Sequence, residues 1–110
     1  MKLLIEGNTI NLDKEGFLAN LNDWNPAVAN VIAKNESIQL EESHWEIINL
    51  LRQFYQQFEL SPAMRPLIKY IALQLGKDKA NSMYLLTLFP NSPAKIASKI
   101  AGLPKPYNCL

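Results

Sequence analysis

The stretch SPAKIASKIAGLPKPYNCL, which runs from Ser92 to Leu110, is the part of the chain around which the rest is organised. Ser92 suits the N-cap of a helix, because its hydroxyl accepts a hydrogen bond from a free backbone N–H, and Pro93 fits the first helical position. Apolar residues then recur at i, i+4 and i+7, as Ile96, Ile100 and Leu103. This spacing gives one apolar face and predicts a short, packed helix.

A candidate delivery arm follows this helix. Gly102 supplies the left-handed residue that ends the helix, and Pro104 prevents its continuation. Pro104 and Pro106 favour an extended path, and the sequence beyond Gly102 has little to bury. Cys109, the only cysteine, stands one residue from the end. An extended arm would hold its thiol about 20–25 Å from the helix end. The alternative is a frayed terminus whose cysteine is incidental.

The last ten residues resemble the C-terminal signature of the DsrC/TusE family, whose members are associated with sulfite reductase or with tRNA thiolation. The signature AGLPKPxxC, followed by an apolar residue, stands here as AGLPKPYNCL, Ala101 to Leu110. Further resemblance lies in the segments Asp13 to Leu18, His44-Trp45, Leu51 to Tyr55, Pro62 to Arg65 and Leu88 to Lys95. Members that act with dissimilatory sulfite reductase carry a second cysteine where this chain has Ser98. The resemblance therefore favours the single-cysteine, TusE-like branch.

This resemblance implies a cytoplasmic sulfur carrier. Cys109 would accept a persulfide from an upstream sulfurtransferase complex and pass the sulfur to a tRNA 2-thiouridylase, for 2-thiolation of the wobble uridine. The chain would act with these partner proteins rather than alone, tRNA would take part only indirectly, and no cofactor or metal is expected. The residues that would direct the arm and dock on a partner are Gly102, Leu103, Pro104, Lys105 and Pro106.

Basic side chains are candidates for a supporting role. The terminal carboxylate disfavours a second negative charge on a Cys109 thiolate, and Lys105 and Lys99 would offset it, unless Lys105 is simply a solvated charge. Solvent screens such pairs on an exposed arm, so the partner's pocket is expected to supply most of the activation. Arg65 lies near a helix start, where the helix dipole disfavours a cation. It is therefore expected to pair with an acid or to serve the site.

Two further residues receive structural interpretations. Ser98 is expected to be an ordinary polar residue on the outer face of the last helix, and it leaves the arm no second thiol for an internal disulfide. His44, the only histidine, has no cysteine or second histidine near it in sequence, so a zinc site is not expected. Beside Trp45 at a helix start, packing or hydrogen bonding is favoured over catalysis. The sequence contains no phosphate-binding glycine loop or nucleophile-elbow motif.

The composition indicates one folded domain, residues 1–110, in which 103–110 form a mobile arm. Hydrophobic residues make up 48% of the chain, yet no apolar run approaches the roughly 18–20 residues of a membrane helix. Residues 1–59 carry four bases and nine acids, whereas residues 60–110 carry seven bases and one acid. The basic half suits an acidic protein partner and, less favourably, a nucleic acid.

The predicted fold is α+β: a small, mostly helical bundle of about five helices with an N-terminal β-hairpin. The hairpin strands are expected at 2–6 and 9–12, around Gly7-Asn8. The first helix is expected from Pro26, with Asn25 as its N-cap, to about Lys34, and the second over 42–58, with Ser43 as a candidate cap. The others are expected from Ser61-Pro62 to Gly76, over about 79–89 with Met83, Leu86 and either Leu85 or Phe89 inside, and from Ser92. Two alternative functions remain, a sulfite-reductase-associated substrate protein and a winged-helix nucleic-acid-binding module.

Overall fold

An N-terminal β-hairpin and five α-helices make up the protein in the computed structural model, which describes residues 1–107. The strands are β1 (Lys2–Ile5) and β2 (Asn8–Asn11). The helices are α1 (Pro26–Asn35), α2 (Glu42–Phe58), α3 (Met64–Leu75), α4 (Ser82–Leu88) and α5 (Pro93–Ile100). Short 3-10 turns at Leu21–Asp23 and Lys77–Lys79 precede α1 and α4. The predicted α+β class is confirmed.

The hairpin turns one residue earlier than predicted. Ile5 pairs with Asn8, so the two-residue loop is Glu6-Gly7 and not Gly7-Asn8. Both loop residues have positive φ, 51° for Glu6 and 80° for Gly7, as a type I′ turn requires. Gly7 therefore supplies the left-handed backbone expected of it, while Glu6 adopts the same region at a cost that glycine does not carry.

Helix starts follow the predicted capping chemistry at some positions and not at others. The Asn25 side chain accepts the Val28 N–H (2.9 Å), with Pro26 as the first residue of α1, as predicted. At α2, which has the predicted bounds, the Glu41 N–H donates to Nδ1 of His44 (3.1 Å). A histidine three residues into the helix thus satisfies the backbone at its start, and Ser43 is not the cap.

Two helices begin later than predicted. α3 starts at Met64 rather than at Ser61-Pro62. α4 starts at Ser82, where the Asn81 side chain accepts the Tyr84 N–H (2.8 Å). Of the residues predicted to lie inside α4, Leu85 and Phe89 are buried, whereas Met83 and Leu86 are exposed, so that part of the prediction is wrong. The short 3-10 turn before α4 shifts its phase, which the sequence pattern alone does not reveal.

The last helix, α5, lies in the middle of the bundle and packs against α1, α2, α3 and α4. Its Ala97 and Ile100 are fully buried. They join a single core of fully buried side chains from the other helices, which include Val28, Ile47, Leu51, Leu67, Ile71 and Leu85. No helix within residues 1–107 is long and apolar enough to cross a membrane. The central position of α5 explains why its C-terminal end is held from several sides.

Candidate functional site

The C-terminal end of α5 has the glycine cap that the sequence predicts. Gly102 has a φ of 75°, its N–H donates to the Lys99 carbonyl (3.1 Å), and the Leu103 N–H donates to the Ser98 carbonyl (2.9 Å). These two bonds form a Schellman motif, which folds the chain back over the last helical turn. At the other end of α5, Ser92 occupies the N-cap position but its hydroxyl makes no capping hydrogen bond, contrary to expectation.

Trp24 and Arg52 hold the backbone that leaves α5. The Trp24 indole N–H donates to the Ile100 carbonyl (2.8 Å), and the Arg52 guanidinium donates to the Ala101 carbonyl (2.7 Å). The guanidinium also lies over the Trp24 ring, 3.8 Å from its centre. Burial lowers the pKa of Arg52, but an arginine remains charged at neutral pH. Trp24 and the charged Arg52, which come from distant segments and stack on each other, thus bind the last two carbonyls at the end of the helix.

Gly102 is required for a second reason besides its backbone conformation. A Cβ at this position would lie 2.3 Å from Cδ1 of Trp24, well inside any permitted contact. The Trp24 ring therefore packs directly on the glycine backbone. We call residues 100–104 the root, because they connect α5 to the C-terminal residues.

The far end of the root is held by Ser61, which precedes α3. Its hydroxyl donates to the Pro104 carbonyl (2.6 Å) and is not a helix cap. The expectation that the chain has little to bury beyond Gly102 is wrong, because Leu103 and Pro106 are both buried. Tyr107 is exposed. The mobility of residues 103–110 stays a prediction, and Cys109 lies outside the described residues.

Charged contacts join the acidic and basic halves of the chain to each other. Glu15 pairs with Lys95 (3.0 Å) and Lys105 (3.2 Å), whose hydrogen bonds hold its pKa below the usual glutamate value. The other two ion pairs of residues 1–107 are Lys79–Glu46 (2.7 Å) and Lys99–Glu36 (3.5 Å). Each pair joins a base of residues 60–110 to an acid of residues 1–59. Much of the predicted charge separation is therefore compensated within the protein.

The candidate supporting residues have different surroundings. Lys99 is buried, with its ammonium group 5.3 Å from the centre of the Phe17 ring and next to Glu36. Arg65 is exposed and forms no ion pair within the described part of the chain, so the expected salt bridge is not found. Lys105 directly follows the root and pairs with Glu15 (3.2 Å). A role of any of the three toward Cys109 stays a prediction.

An open cleft of about 370 Å³ lies beside the root. The end of α2 contributes Tyr55 and the residues that follow it, and the C-terminal segment contributes the opposite wall. Its lining residues are Tyr55, Glu59, Leu60, Ser61, Pro104, Lys105 and Tyr107. The last described residue of the chain therefore borders a concave surface.

Sequence comparison identifies the family. Residues 4–110 match the family described as DsrC like protein. The chain belongs to this DsrC-like family. Two similar proteins are both named Sulfurtransferase TusE. The one from Photorhabdus laumondii is 52% identical and covers 98% of this chain and 97% of its own length. The one from Yersinia pestis is 51% identical and covers 98% of this chain and 99% of its own length.

Solved DsrC structures have the same fold. The NMR structure of Allochromatium vinosum DsrC superposes with a TM-score of 0.90 at 49% identity, over 99% of this chain and 97% of that one. The oxidised γ-subunit of dissimilatory sulfite reductase from Archaeoglobus fulgidus gives 0.86 at 37% identity, over the full length of both. The family resemblance of the C-terminal signature is therefore matched by the whole fold.

Ser98 does not have the exposed position that the sequence analysis assigned to it. The side chain is fully buried on the inner side of α5, and its hydroxyl has no hydrogen-bond partner within the described residues. The prediction is wrong because the short, small-residue helix is covered on more than one face by its neighbours. In this DsrC-like chain, the position assigned to a second cysteine by resemblance is a core position.

His44 has the packing and hydrogen-bonding role that was predicted. Its Nδ1 accepts the Glu41 N–H, its Nε2 lies 3.0 Å from the Leu88 carbonyl, and its ring meets Phe89 edge-on. Both contacts are satisfied by a neutral ring with the proton on Nε2. Within residues 1–107, no group of three His, Cys, Asp or Glu side chains is arranged to hold a metal ion.

The three residues that hold the root were not predicted from the sequence to do so. Trp24, Arg52 and Ser61 lie 76, 49 and 43 positions from the carbonyls that they bind. Arg52 was noted as part of the family resemblance, but without a role. One local signal was available: an arginine on the otherwise apolar side of α2 needs a buried acceptor or a stacking partner.

Proposed function

We propose that this chain is a sulfur carrier that accepts a persulfide on Cys109 and passes the sulfur to a tRNA 2-thiouridylase, for 2-thiolation of wobble uridine. The observation that carries the proposal is the single thiol, which occupies the cysteine position of an AGLPKPxxC signature. The relatives named Sulfurtransferase TusE, about half identical over nearly the whole chain, support it. The described structure adds a firmly held root from which the thiol-bearing end departs.

The loading step is an exchange between two sulfur atoms. The Cys109 thiolate attacks the outer sulfur of a donor cysteine persulfide, and the new bond joins that sulfur to Cys109. The bond between the two donor sulfurs breaks, and the donor cysteine leaves as a thiolate. One sulfur atom moves with its proton, and no external oxidant or reductant is consumed. In the next step, Cys109 is in turn the leaving thiolate.

Activation of the thiol is assigned mainly to the partner. A free cysteine has a pKa of about 8.5, so only a few per cent is thiolate at neutral pH. Lys105, the nearest base in sequence within the described part, is already shared with Glu15. A partner that supplies positive charge or backbone N–H groups around the thiol would raise the thiolate fraction. The proposal therefore places the chemistry at a protein–protein interface.

The test is intact-protein mass spectrometry before and after incubation with a cysteine desulfurase, cysteine and the relay proteins. Wild type should gain one sulfur atom, which dithiothreitol removes, and Cys109→Ser should gain none. The melting temperature of Cys109→Ser should equal that of wild type. Failure of wild type to gain sulfur from an active donor system would contradict the proposal, and a large fall in the variant's melting temperature would indicate a structural cysteine.

A second candidate, a substrate protein of a sulfite reductase, is favoured by the solved structure named as a γ-subunit of that enzyme. The two-thiol form of this role is disfavoured, because position 98 is a serine inside the core. Sulfite reduction assays with a dissimilatory enzyme, with and without this chain, would separate the two functions. A winged-helix role has weaker support, because four of the seven bases in residues 60–110 already pair with internal carboxylates.

A further inference from the structure

We infer that the apolar side chains around the cleft beside the root form the docking surface for the persulfide-bearing protein that loads Cys109. We call this surface the rim: Tyr55, Leu60 and Tyr107. The inference rests on the proposed sulfur-carrier function and adds to it the surface and the type of partner. Three observations carry it, namely the fixed root, the short remaining chain and the exposure of these side chains.

The fixed root limits where the thiol can be. Trp24, Arg52 and Ser61 bind the carbonyls of residues 100, 101 and 104, and Leu103 and Pro106 are buried. Tyr107 follows Pro106 and is the last residue that the structure describes. Two peptide units separate the Cα atoms of Tyr107 and Cys109, a span of at most about 7 Å, and the side chain adds roughly 3 Å. Whatever path these residues take, a root in this position keeps the thiol within about 10 Å of Tyr107.

The same limit applies to the partner. Sulfur exchange requires contact between the donor persulfide and the Cys109 sulfur, so the donor cysteine must come within about the same distance of Tyr107. A folded donor protein that does so has to cover the surface around that residue. The cleft and its rim are that surface, since Tyr107 and Leu60 line the same cleft.

The rim exposes large apolar side chains to solvent. Tyr107 is 83% exposed, Leu60 is 53% exposed, and Tyr55 is half-buried. Tyr55 lies in the last turn of α2, and Glu59 ends the helix with a φ of 56°, its N–H bonded to the Tyr55 carbonyl (2.8 Å). Left-handed backbone is unfavourable for a residue with a side chain, and Leu60 follows directly. Large exposed apolar groups that adjoin one another are typical of interaction sites.

The charge of the rim favours a protein over a nucleic acid. Its two charged neighbours in the cleft are Glu59 and Lys105, one of each sign, and Lys105 is paired with Glu15. Phosphate binding would require an excess of free bases, which this part of the described structure does not have. An apolar centre with little net charge instead matches the buried part of a protein interface.

The donor fits this surface better than the acceptor does. Loading from a persulfide on a partner's surface requires no release of the root, because two peptide units and a side chain limit the thiol to about 10 Å from Tyr107. Delivery into an enclosed active site needs more reach than about 10 Å, and hence the loss of contacts such as those of Ser61 and Pro104. The rim is therefore assigned to the loading partner, and binding of the acceptor there is the outcome that would overturn this assignment.

The experiment compares Leu60→Ser with Leu73→Ser. Leu73 lies on α3 and is 82% exposed, so the control removes a similarly exposed leucine away from the rim. The rate of sulfur gain on Cys109 is measured with two donors: a persulfide-charged relay protein at concentrations below saturation, and glutathione persulfide. Truncation of a central interface side chain commonly weakens binding about tenfold or more. Leu60→Ser should slow loading from the protein donor by about that factor, without changing loading from glutathione persulfide, and Leu73→Ser should change neither.

The other outcomes are distinct. If Leu60→Ser loads from the protein donor within twofold of wild type, and Tyr107→Ser does the same, the rim is not the donor surface. Equal slowing with both donors would also overturn the inference, because Leu60 would then act on the thiol itself or on the fold. A melting curve would distinguish these two cases. Normal loading with impaired transfer to the thiouridylase would assign the rim to the acceptor. If wild type gains no sulfur from the protein donor, the sulfur-carrier function fails instead.

Discussion

The root, residues 100–104, and the N-terminal hairpin, residues 2–11, are both short segments with a left-handed glycine, but they are held in opposite ways. The hairpin satisfies its backbone within itself, because β1 pairs with β2 around a two-residue turn. The root has its carbonyls bound by Trp24, Arg52 and Ser61, which come from three distant parts of the chain. Local pairing is a matter of sequence pattern, whereas the root exists only when the whole bundle is assembled.

The two glycines give the strongest test of this difference. Gly102→Ala would place a Cβ 2.3 Å from the Trp24 ring at a φ of 75°. Left-handed backbone and overpacking each cost about 1–3 kcal/mol, so a loss of about 2–6 kcal/mol in the free energy of unfolding is expected. Urea denaturation followed by circular dichroism would measure it.

Gly7→Ala is the matched control in the hairpin. Its φ is 80°, but a Cβ there would meet nothing within 4 Å. Only the cost of the left-handed backbone remains, so the free energy of unfolding should fall by about 1–2 kcal/mol. Equal losses in the two variants would mean that the contact between Trp24 and Gly102 yields easily, and would remove the main distinction between the segments.

Trp24→Phe tests the hydrogen bonds of the root separately from its packing. The ring that stacks with Arg52 is largely kept, but the Ile100 carbonyl loses its donor at 2.8 Å. An unsatisfied buried acceptor costs about 1–3 kcal/mol, which should appear as lower stability and as faster hydrogen exchange at the Leu103 amide.

The control for this variant is Trp45→Phe on α2. Trp45 is half-buried, and its indole makes no hydrogen bond to any residue of 1–107 that the structure describes. This variant should lose less stability and leave exchange at Leu103 unchanged. Faster exchange at Leu103 in both variants would show that the amide reports on the bundle as a whole and not on the root.

How well each region can be predicted depends on how far apart in the sequence its contacting residues lie. The existence of the hairpin, the bounds of α2, the caps at Asn25 and Gly102, and the five-helix count all depend on patterns within a few residues, and the sequence predicts them. The local errors are shifts of one to three residues, in the hairpin turn and in the start of α4. The larger errors arise where distant residues decide: Ser61 bonds to Pro104 instead of capping α3, and Ser98 is buried by neighbouring helices. Trp24 and Arg52 were missed for the same reason, since their acceptors are carbonyls, which any sequence offers.

Ser98→Ala sharpens the comparison from the opposite direction, because it should stabilise the protein. The Ser98 hydroxyl is buried without a hydrogen-bond partner in the described structure. Alanine removes this desolvated group and is also the better helix former, so a gain of about 1 kcal/mol is expected. Calorimetry would measure it, and Ser43→Ala on the surface of α2 is the control for helix propensity. A loss of stability in Ser98→Ala would mean that the hydroxyl has an acceptor after all.

The smallest effect is the pH dependence supplied by Glu15, which links α5 to the segment after the root through Lys95 and Lys105. Their hydrogen bonds lower the pKa of Glu15 in the folded protein. A lowered pKa contributes stability that is present above the usual glutamate pKa and is lost as the pH falls through the folded value. Wild type should therefore be more stable than Glu15→Gln near neutral pH. This advantage should shrink in acid, and it should also shrink in high salt because the pair is exposed.

Glu6→Gln in the hairpin turn, where no ion pair is found within residues 1–107, should show no such difference. If both variants shift alike with pH, the effect belongs to the net charge of the protein, and the ion pairs of Glu15 with Lys95 and Lys105 contribute nothing of their own.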